Sequence, residues 1–164
     1  MPSRIDSDIY IDGLLQAKSM QLPAGTVTDL GVSGSAGIEA SKLRHEHRST
    51  YAQGSAVSAT DATQVIHVVR GAVAEVVAFV AGAVDNAAGD ATVTVDLLKN
   101  GVSILTAPIT LDSGDANYEV VEGVIASDDL VAEDVLEIVI DATIGTGTLP
   151  KGVFVALSVH EDPV

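Results

Sequence analysis

From about Ser55 onward the chain alternates between apolar and polar positions with a period of two. In "TQVIHVVR" (63–70), Val65, His67 and Val69 fall on one face and Gln64, Ile66, Val68 and Arg70 on the other. "EVVAFVAGAV" (75–84) is a continuous apolar run closed by "DNAAGD" (85–90), which is a turn by composition. "ATVTVDLLKNGVSILTAPITL" (91–111) holds Asn100-Gly101 between two β-branched runs. Both central positions of a type I′ turn require φ > 0, which Asn and Gly tolerate, so a hairpin is expected there. "DSGDAN" (112–117) is the next turn and "YEVVEGVIA" (118–126) the next strand. "SDDLVAEDVLEIVIDATI" (127–144) opens as one helical turn and then alternates Leu136, Ile138, Ile140 against Glu137, Val139, Asp141 as a strand. After the loop "TGTLPKG" (146–152), "VFVALSVHE" (153–161) is the last strand. The pattern predicts seven or eight strands and no long helix over 55–164. The fold class is all-β: an antiparallel β-sandwich, jelly-roll or immunoglobulin-like.

The first 54 residues lack this alternation. "SDIYIDGLLQAKSMQL" (7–22) reads as a short extended hairpin, with Ile9 and Ile11 on one face. Beyond Pro23 the chain is rich in Gly, Ser, Ala and Thr, and a helix is expected from Ser35 to near Ser49. So little apolar area forms no core alone, and residues 1–54 are expected to be an extended or partly helical arm ordered against another subunit.

Composition sharpens the division. In a chain of 164 residues the hydrophobic share is 47% but aromatics are only 3% and Cys and Trp are absent. A core dominated by Val and Ala gains less per residue, at ~0.8 kcal/mol per buried methylene, and sharing a core between subunits compensates. An oligomer is therefore expected. Without cysteine, disulfides and thiolate chemistry are ruled out. The longest apolar stretch, 72–84, carries Glu75 and is too short to span a bilayer as a helix, and the N-terminus has no signal-peptide pattern, so a soluble protein without membrane contact is expected. Formal net charge is −15, which argues against nucleic acid as a partner. Residues 1–54 hold five Lys/Arg against six Asp/Glu, whereas 55–164 hold three against seventeen. A near-neutral front precedes a strongly acidic body.

Against that background "SKLRHEHRST" (41–50) stands out, because Lys42, Arg44, His45, His47 and Arg48 crowd together. If extended, it projects His45 and His47 to the same side. Their imidazoles are metal-ligand types, but the flanking arginines oppose a cation. A basic contact surface made of Lys42, Arg44, His45, His47 and Arg48 is the preferred reading, with no metal and no cofactor expected. No nucleophile with an orienting base accompanies the pair, and no G-x-S-x-G, P-loop, H-E-x-x-H or dinucleotide fingerprint occurs, so no enzyme is expected. His67 reads as a satisfied core or interface histidine and His160 as an exposed one. The acidic turns 85–90, 112–117 and 127–134 read as solvated turns, since none has the alternating oxygen ligands of an EF-hand loop.

A Gly/Ala/Ser-rich lead into "SGSAGIEASKLRHEH", then Tyr-Ala-Gln and a β-domain, resembles small virion proteins of tailed bacteriophages. "GIEASKL" is similar to an A-x-I-x-x-S-K-L pattern of phage head and fibre proteins, and the layout of arm and Val/Ala-rich body resembles a head decoration protein. The resemblance covers residues 9–55 by motif and 56–164 by architecture only. It implies a homotrimer at three-fold positions of the outer capsid surface, assembled in the host cytoplasm. Its partners would be the major capsid protein and its own copies, and it would have no enzymatic activity. It also implies the rival roles of its relatives. One is a trimeric fibre or adhesin head domain that binds a receptor or glycan. The other is an H-x-H iron site on the three-fold axis, for which His45 and His47 are the candidates.

Overall fold

A computed structural model of the chain describes residues 44–162. Ten strands run in chain order: β1 (His45–Ala52), β2 (Ala62–Val68), β3 (Val73–Asp85), β4 (Thr92–Lys99), β5 (Val102–Ser103), β6 (Ile109–Leu111), β7 (Val120–Glu122), β8 (Asp129–Val131), β9 (Val135–Thr143) and β10 (Lys151–Glu161). They build two five-stranded antiparallel sheets. The first has the order β1-β10-β3-β7 with β8 also paired to β3, and the second has β2-β9-β4-β5 with β6 also paired to β4. The sheets pack face to face, and no helix occurs among the described residues. The sandwich expected from the alternation is present.

Period-two burial explains which side chains meet between the sheets. Val153, Val155, Leu157 and Val159 of β10 point inward with Ala74, Val76, Phe79 and Ala81 of β3. Facing them are Val93, Val95 and Leu97 of β4 and Leu136, Ile138 and Ile140 of β9. Valines and alanines make up just over half of the buried apolar residues, as composition suggested, and leucines and isoleucines most of the rest.

The hairpin at Asn100-Gly101 forms as expected, with φ of 51° and 82° and Lys99 opposite Val102. Asn100 does more than turn the chain. Its side-chain amide donates to Asp134 Oδ1 at 2.7 Å and accepts from the Val135 amide at 2.9 Å. Asp134, only 8% exposed, also accepts the Val131 amide at 2.9 Å. That backbone donor, with Asn100 and Lys99, outweighs burial and holds the Asp134 carboxyl below its usual range. One bracket therefore joins the β4–β5 turn to the β8–β9 turn. The other acidic turns are built alike: Asp90 accepts from the Thr146 amide and hydroxyl, and Asp112 from the Gly114 amide.

Three expectations need correction. Residues 45–49 form a strand rather than the end of a helix, because every residue from His45 to Ala52 has a partner on β10. The sheet therefore begins ten residues before Ser55, inside the stretch read as arm. Residues 129–131 pair with β3 as a strand where a helical turn was expected. The faces of β2 also change partway. A bulge between Val65 and His67 puts Ile66 out of register with β9, leaving Val65 44% exposed while Ile66 packs on the core. The expected hairpin over 7–22, the start of the helix at Ser35, and Lys42 lie outside the described residues.

Replacing Asn100 with Gly keeps the turn conformation but deletes both side-chain bonds and leaves Asp134 short of a donor. It is expected to lower unfolding free energy by about 1–3 kcal/mol in urea titrations, with the hairpin retained.

Candidate functional site

His67 and His160, distant in sequence, come to lie beside His45 and His47 of β1. β1 is the edge strand of the first sheet, and β10 beside it sets the direction of its side chains. His45 lies opposite Glu161 and His47 opposite Val159, and directly opposed residues of an antiparallel pair share a face. Glu161 and Val159 are buried between the sheets, so His45 and His47 line the inner side of the edge.

His67 reaches the same place from the second sheet. Without the Ile66 bulge the β2 alternation would send His67 outward; the extra residue turns it in. Its ring lies 5.8 Å from that of His47, and the His47 ring lies 6.2 Å from that of His45. His67 Nε2 meets Glu161 Oε1 at 2.6 Å, with the two side chains 12% and 6% exposed.

Glu161 is the anchor of this inner cluster. Besides His67, its carboxylate accepts the backbone amides of Arg70, at 3.0 Å, and Gly71. Burial alone would raise its pKa, but the His67 contact and these two amides outweigh it and hold the carboxyl below its usual range. Gly71 is required for this: a Cβ there would lie 2.6 Å from the Asp162 carbonyl oxygen and 2.8 Å from Glu161 Cβ. The two sheets are thereby tied through one carboxylate.

The outer side of the same edge carries a separate set of charges. Arg44 reaches Glu75 and Asp162, each at 3.2 Å, and Arg48 binds Glu46 at 2.7 Å. The Arg48 guanidinium holds the Glu46 carboxyl below its usual range, first through the hydrogen bond and then by charge. His160 Nδ1 lies 3.4 Å from Glu75 Oε1. Arg44, His45, His47 and Arg48 were expected to act as one basic surface. Strand alternation instead divides His45 and His47 from Arg48, and acids of the chain already match both arginines. Such exposed pairs contribute little each, roughly 0–1 kcal/mol.

His67 is indeed satisfied, by Glu161. His160 sits half-exposed beside Glu75 rather than fully exposed. Sequence reasoning missed Glu161, although "VFVALSVHE" places it in phase with Val159, Leu157 and Val155, and that phase was the available signal.

The His67–Glu161 pair has the polarity of an acid–base dyad, but the Glu161 carboxylate is already taken up by His67 and two backbone amides. Among the described residues, no three His, Asp or Glu side chains converge as a metal-ligand set. A cavity of about 320 Å³ lies elsewhere, at the β6–β7 edge, lined by Ala107, Pro108, Ile109, Val121, Glu122 and Val124. Its walls are mostly apolar and bring a single carboxylate, with none of the histidines.

No family model matches the chain, and no curated protein is significantly similar to it.

Glu161→Gln is expected to cost about 2–3 kcal/mol near neutral pH, since hydrogen bonds to a charged group are lost. Because the folded-state pKa of Glu161 is depressed, its contribution is fully present above the unfolded value, near 4.5, and is lost as pH falls through the folded value. Melting curves from pH 7 to pH 2 should therefore show a shallower acid limb in the variant than in the wild type.

Proposed function

We propose that this protein is a structural component of a bacteriophage virion, a homotrimer that decorates and stabilises the outer capsid surface by bridging copies of the major capsid protein. The observation that supports this reading most is the outward face of the first sheet. A sandwich normally turns polar side chains to water on its outer faces. Here one row across four strands reads Ala52, Phe154, Gly82, Val120, and the next reads Thr50, Ala156, Val80, Glu122. Val77 and Val120 are 43% and 55% exposed, and Val73 and Val131 sit opposite each other, 56% and 59% exposed. The outer face of the second sheet differs, with Thr94, Asp96, Glu137 and Asp141 turned outward. An apolar patch on this face, beside the charged end formed by Glu46, Arg48, Glu75 and His160, suits a protein whose work is packing against other subunits while the rest of a chain of charge −15 stays soluble.

The resemblance of "SGSAGIEASKLRHEH" to phage head and fibre proteins supplies the rest of the reading. Residues before β1 act as the clamp in it, since an extended segment spans about 3.3 Å per residue and crosses neighbouring subunits. One feature favours the alternative of a trimeric fibre or adhesin head. Tyr118, held at φ 62°, is 68% exposed, the kind of aromatic platform on which a glycan rests.

Light scattering on the purified chain should give the mass of three chains, and Val80→Glu with Val120→Glu should shift it to one. Full-length protein should co-sediment with empty phage shells. Removing residues 1–43, which leaves β1 intact, should keep the body folded by circular dichroism and lose the shells. A monomer at micromolar concentration, or undiminished shell binding by the shortened chain, would sink the proposal. Glycan-array binding that depends on Tyr118 would favour the alternative.

A further inference from the structure

Asn100-Gly101 is a reactive pair as well as a turn. We propose that Asn100 is a self-modification site: the bracket to Asp134 and Val135 preserves its side-chain amide, and each opening of that bracket exposes it to conversion into aspartate and isoaspartate. The sandwich alone carries this, independently of the proposed virion role.

The reaction needs no enzyme. The Gly101 backbone nitrogen gives its proton to hydroxide or a buffer base and attacks Cγ of the Asn100 side chain. A bond forms between that nitrogen and Cγ, the Cγ–Nδ2 bond breaks, and ammonia leaves with a proton taken from solvent. The five-membered succinimide then takes up water. Opening at Cγ leaves aspartate, and opening at the main-chain carbonyl leaves isoaspartate, whose backbone runs through Cβ. One water is consumed and one ammonia is released, with no oxidant or reductant. A following glycine favours ring closure, because it has no Cβ to crowd the attacking nitrogen and turns freely about its backbone. Asn86 and Asn117 precede Ala87 and Tyr118, whose side chains hinder the same step.

The geometry shows what holds the reaction back. Space does not limit it, since Asn100 and Gly101 are exposed and a Cβ built on Gly101 would meet nothing within 4 Å. The Asn100 side chain, however, is held at both of its polar atoms. Nδ2 donates to Asp134 Oδ1 at 2.7 Å, and Oδ1 accepts the Val135 amide at 2.9 Å. The main chain of the same residue is tied to the same place, where the Asn100 amide donates to the Val135 carbonyl at 2.9 Å. Ring closure requires Cγ to leave the β8–β9 turn for the Gly101 nitrogen, which breaks both side-chain bonds. Docked, Asn100 is inert; undocked, it is an ordinary Asn-Gly pair.

The product does not return to the bracket. Aspartate at position 100 turns a carboxylate oxygen toward Asp134 Oδ1 where the amide offered an N–H, and like charges at that range repel. Isoaspartate adds a main-chain atom to a two-residue turn whose register sets Lys99 opposite Val102. Each conversion therefore leaves the β4–β5 turn detached from the β8–β9 turn. A chain that has opened there keeps a permanent record of it.

Mass spectrometry of peptides from the full chain, incubated at mildly alkaline pH, reads the conversion. In guanidinium chloride, residue 100 should convert ahead of Asn86 and Asn117. In buffer its rate should fall by about a hundredfold, the scale of one neutral and one charge-assisted hydrogen bond. Asp134→Ala removes the acceptor of Nδ2 and should restore about tenfold of that rate, with the circular dichroism of the wild type. Hydrogen exchange of the Val135 amide in the wild type counts the same openings and needs no variant. Its protection should match the slowing at residue 100 to within about tenfold. A slowing in buffer of less than about tenfold overturns the proposal, as does a folded Asp134→Ala chain that keeps the wild-type rate. So does a Val135 protection outside that match in either direction, or earlier conversion of Asn86 or Asn117 in the denatured chain. Asn100→Asp should lose the Val135 protection; retaining it would mean that the product redocks, and overturns the permanent record.

Discussion

A strand offers its side chains two directions only, and in this protein burial between two sheets fixes which direction is inward. Almost everything else follows from that constraint. It places Leu157 and Val159 in the core, and the same phase carries Glu161, a carboxylate, into the core behind them. The fold accepts the charge because β2 and the connection after it supply three partners, His67 and the amides of Arg70 and Gly71. A carboxylate buried without them would cost several kcal/mol. With them it becomes a cross-link between sheets in a chain that has no cysteine.

The two bulges show how the constraint is relaxed where it must be. On β3, Val77 stands outside the register with β10, between the positions opposite Ser158 and Val159. On β2, Ile66 does the same against β9. Each inserts a residue and reverses the phase beyond it. The reversal on β2 gives His67 its place at Glu161, and the one on β3 allows Val76 and Phe79, three residues apart, both to be buried. In each case a local departure from ideal pairing serves a contact made across the sandwich.

How much of this the sequence revealed depends on whether the signal was local. The Asn100-Gly101 turn was legible because a two-residue loop needing φ > 0 twice leaves few choices of residue. Leu136, Ile138 and Ile140 were legible as one face because β9 has no bulge. The faces of β2 were misread from Val65 onward because a bulge is created by pairing and leaves no local mark. β1 was read as the end of a helix because "KLRHEHRST" carries no apolar alternation; it is a strand only because β10 offers it an edge. The inner cluster was hidden for the same reason. His45, His47, His67 and Glu161 are separated by up to 116 positions, and only the pairing of β1 with β10 and the turn of β2 bring them together.

The edge strand and the apolar outer face answer opposite needs. An edge exposes unpaired backbone groups and invites pairing with other chains, and charged side chains along it discourage that. β1 follows this rule with Glu46 and Arg48 turned outward and histidines turned inward. Two strands inward on the same sheet, β3 exposes Val77 and leaves Val80 half-buried on its outer side, where charge would be expected if water were the only neighbour. A chain that guards its edge while leaving part of that face apolar separates two modes of association: strand addition is discouraged, and face packing is left open.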